Sequence, residues 1–273
     1  VCTSHVPAIG RALDQHLEQD PYWKPFFDGF PPVRRWLDEV RPDVAVVFYN
    51  DHGLNFFLDN LPTFAVGAAA EYTNEDEGWG IPALGSYRGD VALSWHVIER
   101  LAADEFDVAT CQRMRVDHAF SLPLKLLWPD ASACPVRTVP IAINTVQHPL
   151  PSGKRCLALG RAVGRAIESW PEDVRVLVVG SGGLSHQLEG RRAGFINKPF
   201  DLMCLERLVD APEALTGWST RELVELAGSQ GVELLMWIAA RGALGAGARR
   251  LHSNYHVPIS NTAAATLLLA PAA

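Results

Sequence analysis

The sequence has 273 residues, 48% hydrophobic and 20% charged, with a formal net charge of −7 at pH 7. That balance supplies a sizeable core and excludes a disordered chain, while the acidity argues against a nucleic-acid partner or adhesion to an anionic membrane. No apolar run reaches the ~18 residues a bilayer span needs and no signal-peptide pattern opens the chain. The five cysteines form no CxxC pair, so reduced thiols in a cytoplasmic protein are expected.

In chain order, "VCTSHVPAIG" sets His5 just after a short apolar stretch. Val1 falls inside that strand-like stretch, so a few preceding residues are expected in the natural chain. "RPDVAVVFYNDHG" reads as a buried strand over Asp43 to Tyr49 that ends in polar turn residues, Asn50, Asp51 and His52 among them. "TFAVGAA" reads as a shorter strand, and Glu71–Gly89, rich in Gly, Pro and acids, as a long surface loop. "DVALSWHVIERLAADEF" predicts a helix capped by its Asp. "FDVATC" and Val136–Asn144 follow as strands, then a helix over "PSGKRCLALGRAVGRAIESW". "VRVLVVGS" predicts a central strand running into "GSGGLSH", which carries His186. "DLMCLERLVD", "STRELVELAG", "GVELLMWIAARGAL" and "SNTAAATLLLA" read as helices. Strands alternating with helices predict one α/β domain over residues 1–273, with a largely buried central mixed sheet flanked by helices.

Ligands in such sheets bind beyond the carboxyl ends of strands, and His5, His52 and His186 each follow a predicted strand. Taken singly, each also reads as an ordinary structural or surface histidine. His16, His96, His148, His252 and His256 have no such setting. "VGSGG" misses the nucleophile elbow G-x-S-x-G at its first glycine, and no phosphate-binding or HExxH motif occurs. A non-haem ferrous centre needs two imidazoles and one carboxylate with open positions beside them. Glu233, in the first turn of an apolar helix, could be the carboxylate. On sequence physics alone it reads more readily as an acid favoured near a helix N-terminus.

Several segments together resemble the class III extradiol ring-cleaving dioxygenases: "TSHVPAIG", "YNDHG", "DEGWG", "VDHAFSLPL", "LPSGKRCLALG", "GSGGLSHQLEGRRAGFINKPFD", "QGVELLMWIAARGAL" and "YHVPISNTAA". They run in order through nearly the whole chain, and they are most like the catalytic β subunits of protocatechuate 4,5-dioxygenases, with gallate dioxygenases close by. The resemblance implies an oxidoreductase that opens a catecholic ring with O2 and Fe(II). It implies His5, His52 and Glu233 as iron ligands, His186 as the acid/base and His118 as a second histidine beside substrate and oxygen. Ser260, Asn261 and Thr262, at the start of an expected helix, would receive the substrate carboxylate or simply cap that helix. Asn50 and Asp51 would orient His52 or form its turn. The resemblance also implies an oligomer and a small helical α subunit over the site, whereas gallate dioxygenases carry an extra C-terminal domain. Gallate, a methylated gallate or an aminophenol are alternative substrates. A metal-dependent hydrolase of the same fold, or a metal-free binding protein, are alternative functions.

Overall fold

The computed structural model of the chain describes residues 1–81, 85–258 and 260–272. Its centre is an eight-stranded mixed sheet. In chain order the elements are β1 (Cys2–Thr3), α1 (Pro7–Asp14), α2 (Lys24–Phe27), α3 (Phe30–Val40), β2 (Val44–Tyr49), β3 (Phe64–Gly67), β4 (Glu71–Asn74) and β5 (Tyr87–Arg88). Then come α4 (Val91–Ala103), β6 (Ala109–Cys111), β7 (Arg115–Val116), α5 (His118–Leu127), β8 (Arg137–Ile143), α6 (Gly153–Glu168) and β9 (Val176–Ser181). The chain ends with α7 (Lys198–Asp210), α8 (Thr220–Ala227), α9 (Leu234–Gly242), β10 (Ala248–His256) and β11 (Ala264–Pro271).

The strand order is β10-β11-β1-β9-β2-β8-β3-β6. The four middle strands β1, β9, β2 and β8 run parallel, while β3 lies antiparallel to β8 and β11 antiparallel to β1. Every residue of β2 is buried, as expected of a strand covered by helices on both faces. On one face α6 packs against α9, with Leu157, Val163, Trp237 and Ile238 in the core. On the other, α5 places Phe120 and Leu124 against Tyr49 and Val179.

Most expected elements appear near their sequence positions, and two of the expected helices are capped by side chains at their starts. Asp90 Oδ1 accepts from Leu93 N, and Ser152 Oγ from Arg155 N. The C-terminal helix is a correction: Ala264–Pro271 is strand β11, and Ala264 to Leu269 are all buried. A short continuous apolar run suits a buried strand and a buried helix equally by periodicity. Here it fills the gap between β1 and β10, and so no helix starts at Ser260. The Glu71–Gly89 loop carries β4 and β5, which form a small sheet with β7. Its residues 82–84 lie outside the described residues.

Candidate active site

The carboxyl ends of the four parallel strands open onto one cavity of about 710 Å³. His5 follows β1, Asn50 and His52 follow β2, Thr145 and His148 follow β8, and Gly183 and His186 follow β9. His118, at the start of α5, and Glu233, just before α9, complete its floor. His5 Nε2 lies 3.4 Å from Glu233 Oε1, and His186 Nε2 lies 3.9 Å from Oε2. The His5 ring centroid is 5.6 Å from His52 and 5.3 Å from His118, and the His52 and His118 rings stack at 4.4 Å. His5, His52 and His118 each offer a donor atom within 4.8 Å of the other two.

The outer nitrogen of each ring decides what the inner one can do. Ser181 Oγ donates to the Ala119 carbonyl, so it accepts from His5 Nδ1–H at 2.8 Å. His52 Nδ1–H donates to Asp117 Oδ2 at 2.9 Å. His118 Nδ1–H donates to the Glu77 carboxylate, with Oε2 at 2.9 Å, and His186 Nδ1–H to the Leu184 carbonyl at 3.0 Å. Each neutral ring is thereby held in the tautomer whose Nε2 carries a lone pair.

The Nε2 atoms of His5 and His186 lie against the Glu233 carboxylate, and the Asn50 amide Nδ2 lies 3.1 Å from His52 Nε2. A cluster of bases of this kind fits a divalent cation. Two imidazoles and one carboxylate are the set that suits non-haem ferrous ion with positions left open. His5, His52 and Glu233 could hold it, each braced by a partner behind it in the manner typical of metal-binding side chains. Among the described residues, the tighter triple substitutes His118 for Glu233.

Buried acids set the electrostatics. Burial pushes the Asp117 carboxyl up, but His52 and His118 outweigh it and hold it at about 2. Burial pulls the His52 imidazole down, and the same Asp117 raises it to about 9. Glu233 is 6% exposed, and burial pushes its carboxyl up. The nearby His5, His186 and His52 reverse that and hold it well below the usual carboxylate range. Burial lowers the His118 imidazole, against the hydrogen bond that it donates to Glu77.

The glycine turn has a steric purpose. A Cβ on Gly183 would lie 2.4 Å from His186 Cε1 and 3.4 Å from Glu233 Oε2. The bare backbone instead donates Gly183 N–H to Glu233 Oε2 at 2.7 Å, so the turn holds the carboxylate and leaves room for the imidazole. Behind it, the buried Asp201 accepts from Ser185 N at 2.8 Å and from Ser185 Oγ at 2.6 Å, tying the His186 segment to α7.

Not every expected residue reaches the cavity. The carboxylate that holds His52 is Asp117, not Asp51. Asp51 instead accepts from the backbone N–H groups of Gly53, Leu54, Asn55 and Phe56, the turn-forming alternative. Ser260, Asn261 and Thr262 do not line the cavity. Thr262 pairs with His186 across a single antiparallel bridge, so this segment backs the His186 turn. With β11 in place of a helix, the expected anion cradle at a helix start is absent there.

Sequence reasoning passed over Asp117 and Glu77. Asp117 precedes His118 in "VDHAF" and also caps α5, its Oδ1 accepting from Ala119 N at 3.0 Å. Glu77 lies in "DEGWG", 41 residues before His118, and its Oε2 also accepts from the His118 backbone N–H at 2.7 Å. An acid directly before a histidine was a usable signal for Asp117. No local spacing pointed to Glu77. Arg11, Trp79 and His148 line the cavity as well.

The family described as the catalytic LigB subunit of aromatic ring-opening dioxygenase matches residues 1–265. Gallate dioxygenase of Pseudomonas putida is 42% identical over 71% of this chain and 57% of its own length. The 2,3-dihydroxyphenylpropionate/2,3-dihydroxicinnamic acid 1,2-dioxygenase of Rhodococcus jostii is 32% identical over 94% of this chain and 92% of its own. Its Photorhabdus laumondii counterpart is 36% identical over 68% of this chain and 55% of its own. The chain thus spans little more than half of two of these relatives and nearly all of the third. The family match runs through His5, His52, His118, His186 and Glu233 alike, and the chain belongs to this family of catalytic subunits of aromatic ring-opening dioxygenases.

Proposed function

We propose that the chain is a non-haem Fe(II)-dependent extradiol dioxygenase acting on a catecholic acid. It breaks the ring bond next to the diol and places both atoms of O2 in the product; protocatechuate gives a carboxy-hydroxymuconic semialdehyde. Residues 1–273 form one catalytic domain in this reading, which is cytoplasmic, in keeping with five free cysteines. The observation that carries the reading is the set of inward Nε2 lone pairs around Glu233 at the floor of a cavity large enough for a substituted ring.

His5, His52 and Glu233 hold the iron. When bound, Fe(II) supplies Lewis acidity that eases ionisation of the diol and the electrons through which ring and O2 react. His186 takes a proton from a ring hydroxyl at Nε2, since its Nδ1–H is committed to Leu184. Glu233 Oε2, 3.9 Å away, stabilises the imidazolium until the proton is returned to the opening product. His118, fixed by Glu77, turns its Nε2 toward the same space and orients substrate or oxygen. Asp117 keeps His52 in register.

The identity to a gallate dioxygenase favours a second substrate of the same class, a trihydroxybenzoate. The reading includes an oligomer and a small helical partner over the mouth. In support, Trp79, Val146 and Leu188 are exposed apolar groups on the cavity lining.

Reconstitution with Fe(II) without oxygen, then addition of protocatechuate or gallate and O2, tests this directly. One O2 consumed per ring, with a coloured meta-cleavage product, is expected. An iron-loaded protein that consumes no O2 with either acid overturns the proposal.

A further inference from the structure

Arg11 carries the one guanidinium or ammonium group on the cavity lining among the described residues. It projects from α1, and its side chain makes no hydrogen bond or ion pair with any described residue. The single carboxylate on the same lining, Glu233, is at the floor and is already shared between His5, His186 and the Gly183 N–H. The mouth therefore presents one uncompensated positive charge in a protein whose net charge is −7. Such a charge favours an anionic ligand locally although the whole molecule repels one.

The position suits a ring substituent. Pro7, Ala8 and Arg11 line the cavity from one face of α1, directly after His5. Arg11 lies four residues, about 6 Å of helical rise, beyond Pro7, a length comparable with a benzene ring. A ring whose two oxygens sit at the His5 end thus directs its far substituent toward the guanidinium. The helix is well placed to hold that geometry. A Cβ on Gly10 would come 2.7 Å from Ile81 Cγ1, so α1 packs directly on the segment that carries Trp79 and Glu77.

We propose that Arg11 receives the carboxylate of the aromatic acid and so selects anionic over neutral catechols. The inference rests on the ring-opening reading for the position of the diol. It assigns to α1 the task that the sequence suggested for Ser260 to Thr262. A planar guanidinium can meet a carboxylate through two parallel hydrogen bonds, and a lysine reproduces the charge without that fork.

The test is anaerobic calorimetry on the full chain loaded with ferrous ion, with protocatechuate and 4-methylcatechol as ligands, and O2 uptake measured separately. Arg11→Met is expected to lower the ratio of the two affinities, acid over neutral, by about 10- to 100-fold, the scale of a hydrogen bond between charged groups. Arg11→Lys is expected to recover part of that loss. Arg11 is exposed, and an unchanged thermal midpoint verifies that each variant is folded. A ratio that stays put in folded Arg11→Met overturns the inference, as does a parent protein that binds neither ligand. Altered binding without O2 uptake upholds Arg11 and removes the ring-opening reading; O2 uptake with an unchanged ratio does the reverse.

Discussion

The floor and the mouth of the cavity are built differently. At the floor, His5, His186 and Glu233 are 2%, 4% and 6% exposed, and every imidazole has its outer nitrogen tied to an acceptor, buried for His5, His52 and His186 and half-buried for His118. At the mouth, Trp79 is 51% exposed and Arg11 has no partner among the described residues. A group held by several buried hydrogen bonds cannot be changed without leaving others unsatisfied, at roughly 1–3 kcal/mol each. A group held by none can be exchanged at little structural cost. In the proposed reaction, metal and proton chemistry falls in the over-determined part of the fold and substrate choice in the under-determined part.

The comparison fails if floor residues prove replaceable. Glu233→Ala is expected to have the largest effect: iron content after anaerobic loading and desalting should fall by more than the roughly 10–100-fold typical of losing an outer partner. Metal analysis showing parental iron would remove Glu233 from the ligand set. His186→Phe separates the floor's two tasks. It should retain iron yet lose about 100- to 10,000-fold in turnover, the range for a positioned acid/base. A variant that cleaves catecholic acids at the parental rate would show that the proton leaves by another route.

The same contrast explains what could be read from sequence. The parallel strands were visible as apolar runs, and three of them end in a polar burst with a histidine, so His5, His52 and His186 stood out. Their convergence follows from the parallel order of β1, β9 and β2, which no local pattern encodes. Strand β11 was misread because "AAATLLLA" has no period that separates a buried strand from a buried helix. That error carried Ser260, Asn261 and Thr262 into the substrate site. Strand β10 and helices α1 to α3 drew no reading, and with α1 went Arg11. Glu77 was invisible for a related reason, since its bonds to His118 span a long stretch of chain.

Asp117→Asn probes the layer behind the proposed metal ligands. The amide keeps the shape and the cap on α5, yet loses the charge that holds His52. Its expected cost is about 10- to 100-fold in iron affinity, below that of Glu233→Ala, with the thermal midpoint of the metal-free protein moving far less. Equal iron affinity in the variant would mean that His52 needs no anionic brace.

Trp79→Ala is expected to be the mildest change and is the sharpest check on the mouth. The indole lines the cavity but is half exposed, so its removal takes away apolar contact without opening the core. A ring contact of this kind contributes about 1 kcal/mol, which corresponds to a rise in KM of roughly five-fold. Iron content and kcat should hold, because neither Trp79 nor its neighbours in sequence belong to the proposed iron-ligand set. Glu77, two residues earlier, is the complication: it holds His118 from the same segment. A fall in kcat rather than a rise in KM would therefore mean that the Trp79 ring keeps Glu77 in place. The division between floor and mouth would then have to be redrawn through this loop.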